Sequence, residues 1–222
     1  MPERDYISTL LEDLAASAPL AQGRPRQSIF IGGGTPSLFS PEAIGRLITG
    51  IKANLQLAAQ ADITLEANPG AADETRFQGY HSAGVNRLSI GAQSFNDEHL
   101  RRLGRVHGSS DIYSAVEAAM RAGFAKINVD LMYGLPGQDA TQALDDLQQA
   151  ITLQPGHISW YELTIETNTE FFKAPPRLPE EDALSAMERS GLGVLGDAGY
   201  HRYEISAFCR DVDARSIHNC NY

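Results

Sequence analysis

The chain is short of cysteine and of positive charge. Its two cysteines, Cys209 and Cys220, both lie near the C-terminal end of 222 residues. That number and spacing exclude a disulfide framework, a zinc ribbon and a redox CxxC pair, and leave two reduced thiols as the plain reading. Eighteen Lys and Arg stand against 28 Asp and Glu, a net charge of −10. Bulk nucleic-acid binding needs a basic surface, so no nucleic-acid partner is expected. A small anionic ligand held by one or two arginines remains compatible. There is no apolar run of bilayer-spanning length, so no transmembrane segment is expected. The opening "MPERDYISTLLEDL" is charged and has no signal-peptide h-region, and the expected location is cytoplasmic. Internal repeats, low-complexity tracts, a GxGxxG fingerprint and a Walker GK[ST] are all lacking.

What is present is ordinary soluble composition, 42% hydrophobic and 21% charged, arranged as alternating strand and helix. Helical spacing runs over 5–18, with Ile7, Leu10, Leu11 and Leu14 on one face. A buried strand is predicted at 28–31. Ser40 as N-cap and Pro41 at the first helical position start a helix to about Leu55. Further strands are predicted at 61–66, 86–91, 126–134, 157–165 and 202–206, with helices near 73–83, 96–103, 110–122, 139–152 and 180–198, then an irregular tail. Strand–helix alternation implies parallel pairing with right-handed crossovers, hence a doubly wound sheet or a full or partial barrel. No linker-like segment divides it.

Both architectures place ligands at the carboxyl ends of the strands. The first predicted strand stops against Gly32, Gly33 and Gly34, followed by Thr35 and Pro36. The second delivers Glu66 and Asn68; the third Gln93 and Ser94, with Arg105 beyond; the fourth Asp130, Tyr133 and Gly134; the fifth Tyr161, Glu162 and Thr164. Each has a plain structural alternative. The glycines suit a tight turn, Glu66 a cap or an ion pair, and Gln93 the backbone groups of a turn. Asp130 interrupts an apolar run, and a buried carboxylate needs a partner; Arg105 is the candidate in kind. Taken together, polar groups at one end of strand after strand favour a site. His81, His99 and His157 read as surface or loop histidines, His107 stays ambiguous, and His218, Asn219 and Tyr222 close a polar tail.

The segments "IFIGGGTPSL", "ITLEANPG", "GVNRLSIGAQSF", "RRLGRVH", "NVDLMYGLPGQ", "HISWYELTIETNT" and "YEISAF" resemble, in order and spacing, the radical S-adenosylmethionine (SAM) enzymes of the oxygen-independent coproporphyrinogen III oxidase group. "SWYELTIETNT" and "HNCNY" are similar to its heme chaperone branch. The resemblance implies an α/β fold, a partial parallel (β/α) barrel with SAM across the strand ends. It implies that Gly33, Gly34, Thr35 and Pro36 receive the methionine amino group and that Glu66 contacts SAM. Gln93, Arg105 and Asp130 match further SAM-contacting positions, which in the oxidase serve a second SAM; Thr164 matches a strand-end position. His218, Asn219 and Tyr222 match the start of an HNxxYW element of unassigned role.

One departure stands out. The group carries CxxxCxxC after its first strand, ahead of the position matching residue 1. Three thiolates there hold a [4Fe–4S] cluster whose fourth iron SAM chelates. The expectation is therefore a barrel core at 1–206 missing its first strand, and at 207–222 the start of a truncated C-terminal region. No catalytic or metal-ligating residue is assigned, and oxidoreductase activity is not expected of this chain alone. The functions implied are a heme chaperone that binds SAM and a cluster and passes heme to an acceptor protein, a coproporphyrinogen III dehydrogenase acting on a porphyrin precursor, or an inactive binding module.

Overall fold

The computed structural model describes residues 2–71 and 73–221. Tyr222 lies outside them. Five strands run in chain order, β1 (Arg26–Ile31), β2 (Leu57–Ala67), β3 (Arg87–Gln93), β4 (Lys126–Tyr133) and β5 (His157–Glu162), each parallel to the next. Between them lie α2 (Pro41–Asn54), α3 (Glu74–Ala83), α4 (Asp97–Arg102), α5 (Ser109–Arg121) and α6 (Ala140–Thr152), with α1 (Glu3–Ser17) ahead of β1. After β5 come α7 (Glu170–Lys173), α8 (Glu181–Asp197), β6 (His201–Glu204) and β7 (Ala207–Cys209).

The order across the seven-stranded sheet is β1-β2-β3-β4-β5-β7-β6. The parallel strands never reverse direction in that order. Right-handed crossovers then put every connecting helix on the same face. The sheet therefore curls, helices outside, into a partial barrel. A doubly wound sheet would need a switch of order, and there is none.

Two readings are corrected at the C-terminal side. The segment after 206, expected to be irregular, begins with β7, which inserts between β5 and β6 and is antiparallel to both. Three residues and a two-residue turn leave too little pattern to see in sequence. The fifth strand stops at Glu162, so Thr164 falls in the loop that follows it.

Helix starts follow local chemistry. The Ser40 side chain accepts from Ala43 N at 3.2 Å, and Asp73 does the same for Arg76 N at 2.8 Å, each satisfying a donor the helix leaves free. The core lies between helices and the convex face of the sheet. It is built from Leu65, Leu88, Ile90, Val129, Leu131 and Ile158 on the strands, against Ile44, Ile48, Phe77, Ile112, Val116 and Leu147 on the helices. These strand residues alternate with polar ones facing the other way: Asp62, Thr64 and Glu66; Arg87 and Ser89; Lys126, Asn128 and Asp130; His157, Ser159 and Tyr161. The pairing register keeps this parity, with Thr64 opposite Arg87, Ser89 opposite Asn128, and Asp130 opposite Ser159. The concave face of the sheet is thus polar, and the fold makes it a cleft.

Candidate functional site

The cleft encloses about 360 Å³ and is lined by residues from every parallel strand. At its rim the triple glycine turns the chain. Gly33 and Gly34 have φ of +83° and +60°, which side chains other than glycine tolerate poorly. Gly32 is needed for a different reason: a Cβ there would lie 2.8 Å from the Phe30 ring and 2.9 Å from the Glu66 carboxylate. That close approach lets Gly33 N donate to Glu66 Oε2 at 3.0 Å. The turn is pinned to β2 by Asn68 N, which donates to the buried Ser37 Oγ at 3.1 Å. Gly34, Thr35 and Pro36 line the rim of the cleft.

Across the cleft, β3 shifts register between Ile90 and Gln93. Gln93 takes φ +69° there, uncommon for a residue with a side chain. The bulge re-aims the side chain, and Gln93 Oε1 accepts from Tyr161 OH at 2.9 Å. Burial pushes the Tyr161 hydroxyl's pKa upward, so it stays protonated. Ser94, one residue on, is turned away: its Oγ donates to the buried Asp146 Oδ2 at 2.7 Å, and Phe95 N donates to Oδ1 at 2.6 Å. Ser94 and Asp146 thereby hold the loop that follows Gln93.

Asp130 faces the cleft midway down. Its partners differ from expectation. The cation Arg105 does not bond it; Ser89 Oγ donates to Oδ2 at 2.8 Å and Asn128 Nδ2 donates to Oδ1 at 2.7 Å. Burial raises its pKa, and these donors act against that rise. Arg105 lines the rim, exposed to solvent. Thr164 is exposed, donates to Glu166 Oε1 at 3.1 Å, and is not among the residues lining the cleft.

The floor holds charges that are already spoken for. Lys126 Nζ lies 2.7 Å from Asp62 Oδ1. Asp62 Oδ2 accepts from Ile217 N at 3.0 Å. Arg87, 2% exposed, donates to the Ala214 carbonyl at 2.7 Å. Residues 210–221 thus form a strap bound across the base, and Ser216 and Asn219 line the cleft from below. His218 stacks on Phe30 with ring centroids 4.7 Å apart. His157, expected at the surface, is buried in this floor: Nδ1 is 2.6 Å from Asn128 Oδ1 and Nε2 is 2.6 Å from Tyr203 OH. Burial first, and the Arg87 charge second, pull its pKa down to about 3. His99 is also buried, and His107 Nε2 lies 3.3 Å from the Ala92 carbonyl.

Strand-end reasoning overlooked Thr64, Ser89, Asn128, His157 and Ser159, which line the cleft below the rim. The signal was there as strict alternation in "DITLE", "KINVDLMY" and "HISWYE". Thr64 is 2% exposed, and its hydroxyl has no hydrogen-bond partner among the described residues. A buried, unsatisfied hydroxyl in a cleft wall marks where a ligand or water completes the site.

The cleft fits SAM in the character of its polar groups: backbone carbonyls and N–H groups at a glycine turn, carboxylates at Glu66 and Asp130 that accept, an amide at Gln93 and an orphan hydroxyl. It does not fit an iron–sulfur cluster. Among the described residues no three His, Cys, Asp or Glu are grouped to hold a metal, and Cys209 is buried in β7 while Cys220 is exposed.

A curled, mostly parallel sheet with a polar concave cleft at the strand ends defines the partial-barrel class of α/β ligand-binding proteins. The family model of the radical SAM superfamily matches residues 2–150, and the chain belongs to that superfamily. It is 50% identical over 222 residues to the heme chaperone HemW of Escherichia coli (strain K12), covering all of this chain and 58% of that protein. It is 40% identical over 200 residues to the mitochondrial radical S-adenosyl methionine domain-containing protein 1 of Mus musculus, covering 88% of this chain and 45% of that one. The structure of the coproporphyrinogen III oxidase HemN from Escherichia coli, a radical SAM enzyme, superposes with a TM-score of 0.85 at 27% identity, over 96% of this chain and 50% of that chain. The chain spans somewhat under 60% of the length of the HemW relative.

Proposed function

We propose that this chain is the SAM-binding barrel of a cytoplasmic heme chaperone, which binds SAM at the carboxyl rim of the cleft and, in the whole protein, hands heme to an acceptor protein. The observation that carries the SAM part is the rim itself. Gly34 leaves backbone open to a ligand at the rim, Glu66 is fixed by Gly33 N–H, and Gln93 and Asp130 face the same space. In this reading Gly33, Gly34, Thr35 and Pro36 receive the amino-acid end of SAM, while Glu66, Gln93, Asp130 and Arg105 bind its polar remainder. A [4Fe–4S] cluster, with ligands from outside the described residues, would supply the electron for radical chemistry in the whole protein, while the residues here would bind SAM. The heme part is supported by the named function of the relatives. The free thiols of Cys209 and Cys220 are compatible with a reducing cytoplasm.

A second reading, a coproporphyrinogen III dehydrogenase, is supported by the likeness to HemN. The cleft argues against it. A tetrapyrrole bearing several carboxylates calls for cations at the mouth, and of the arginines lining the cleft Arg87 is spent on the strap while Arg105 alone sits at the rim. A third reading, a cluster-free binding module, is supported by the lack of a metal-ligand group among the described residues.

The test uses the protein expressed from its whole reading frame and reconstituted anaerobically with iron and sulfide. The expected result is saturable SAM binding, weakened about tenfold by Asp130→Ala with the melting temperature little changed, and heme binding without turnover of coproporphyrinogen. Conversion of coproporphyrinogen to protoporphyrinogen would overturn the chaperone reading. Binding of neither SAM nor heme would leave the third.

A further inference from the structure

Below the rim, one chain of hydrogen bonds connects Asp130 to the C-terminal strap, and its donors and acceptors can be followed link by link. Both Asp130 carboxyl oxygens accept, Oδ2 from Ser89 and Oδ1 from Asn128. Asn128 must therefore turn its Nδ2 toward Asp130 Oδ1, at 2.7 Å. The same Nδ2 donates to Ser89 Oγ at 2.7 Å, which frees the Ser89 proton for Asp130 Oδ2. With Nδ2 so placed, Asn128 Oδ1 faces the other way. It accepts from Ser159 Oγ at 3.1 Å and lies 2.6 Å from His157 Nδ1. A bond of that length to a carbonyl oxygen needs a proton on Nδ1. Burial keeps the ring neutral, so Nε2 carries none and is an acceptor. Tyr203 OH, 2.6 Å away, then donates to Nε2. The Tyr203 oxygen in turn accepts from Ser216 N at 3.0 Å and from Asn219 Nδ2 at 3.4 Å. Both belong to the strap.

We infer that His157, held as the Nδ1–H tautomer by Tyr203 and the strap, is a positioning residue for Asp130. It holds the Oδ1 end of the Asn128 amide while Asp130 and Ser89 hold the Nδ2 end, and so helps keep two donors on the Asp130 carboxylate. Reversing the amide would put Asn128 Oδ1 against that carboxylate, two acceptors facing each other. His157 acts on the cleft without touching a ligand. This inference rests on the reading of Asp130 as a SAM-binding residue for its consequence, but not for its geometry.

Two substitutions separate the roles of the two nitrogens. The Asn amide nitrogen occupies the place of Nδ1, so His157→Asn retains the donor to Asn128. The longer Gln reaches toward Tyr203 and leaves Asn128 without that donor. In the protein expressed from its whole reading frame, nitrogen NMR of the wild type should show Nδ1 protonated and Nε2 bare; the reverse tautomer would overturn the inference. His157→Gln should weaken SAM binding about tenfold and raise the titration midpoint of the Asp130 carboxyl, with Glu66 and Arg87 as the charges that act on it across the cleft and Arg105 at the rim unchanged between the variants. His157→Asn should leave both within about twofold. Equal behaviour of the two variants, with both folded, would also overturn it. Should Gln unfold the protein, Tyr203→Phe removes the donor to Nε2, and the expected result is loss of the single tautomer in the NMR spectrum. If Asp130→Ala leaves SAM binding unchanged while the tautomer and the Asp130 midpoint behave as stated, the positioning stands and the SAM reading falls.

Discussion

The rim and the floor of the cleft are made by the same strands, from the same alternation of polar and apolar residues, yet they do opposite things. On the floor each charge is matched: Asp62 by Lys126 and Ile217 N, Arg87 by the carbonyls of the strap, His157 by Asn128 and Tyr203. At the rim the matching is left incomplete. Gly34 offers bare backbone, Arg105 reaches solvent, and below them Thr64 holds an unused hydroxyl. A polar residue facing into a barrel is therefore not in itself a site. Satisfied networks build structure, and partly satisfied ones wait for a ligand.

The largest expected effect attacks the floor. Asp62→Ala leaves Lys126 facing an empty site and strips the strap of its bond at Ile217 N, so urea unfolding should show a loss of about 3–5 kcal/mol. A loss under about 1 kcal/mol would mean that the floor is not held by its charges.

A second effect, graded rather than abrupt, appears with pH. The folded-state pKa of His157 is pulled down to about 3, well below its ordinary value of 6.5. The neutral ring's contribution is thus whole above about pH 6.5 and declines as pH falls toward 3, by about 1.4 kcal/mol per pH unit. Asp146 works in the other direction, since burial raises it to about 6: its contribution is whole below about pH 4 and is lost as pH rises through about 6. Comparing the wild type with His157→Asn by thermal unfolding from pH 7 to pH 4 isolates the histidine, and the variant should show the flatter dependence. Parallel curves would remove His157 from the floor's account.

The smallest effect on stability belongs to the rim. Glu66→Gln retains an oxygen for Gly33 N, so stability should change by less than about 1 kcal/mol, while SAM affinity of the whole protein should fall about tenfold, read by calorimetric titration. A rim substitution that destabilises as much as Asp62→Ala would erase the distinction between the two regions.

The sequence made the parallel strand–helix order, the Ser40 helix cap and the rim residues legible, because caps, turn glycines and apolar periodicity are local. Monotone strand order followed from alternation, once the barrel was chosen over a doubly wound sheet by resemblance. The floor was not legible. Asp130 looked alone in an apolar run because its donors, Ser89 and Asn128, sit on two strands whose register no local pattern states. His157 looked like a loop residue because it opens a strand and its partner Tyr203 is far along the chain. β7 was too short to show a period. Thr164 read as a strand end because apolar residues continue to Ile165 after the ladder has stopped at Glu162.

The strap also sets a schedule for the molecule's birth. Ile217 reaches back 155 residues to Asp62, and Arg87 reaches forward 127 to Ala214. On a ribosome the parallel strands emerge and associate in turn, each beside its predecessor, while the floor stays open and its charges wet. The cleft gains its base only after residues 214–219 have been synthesised and have joined their carbonyls and amides to charges that have been waiting since β2 and β3. A nascent chain of this protein should fold its walls early and its base last.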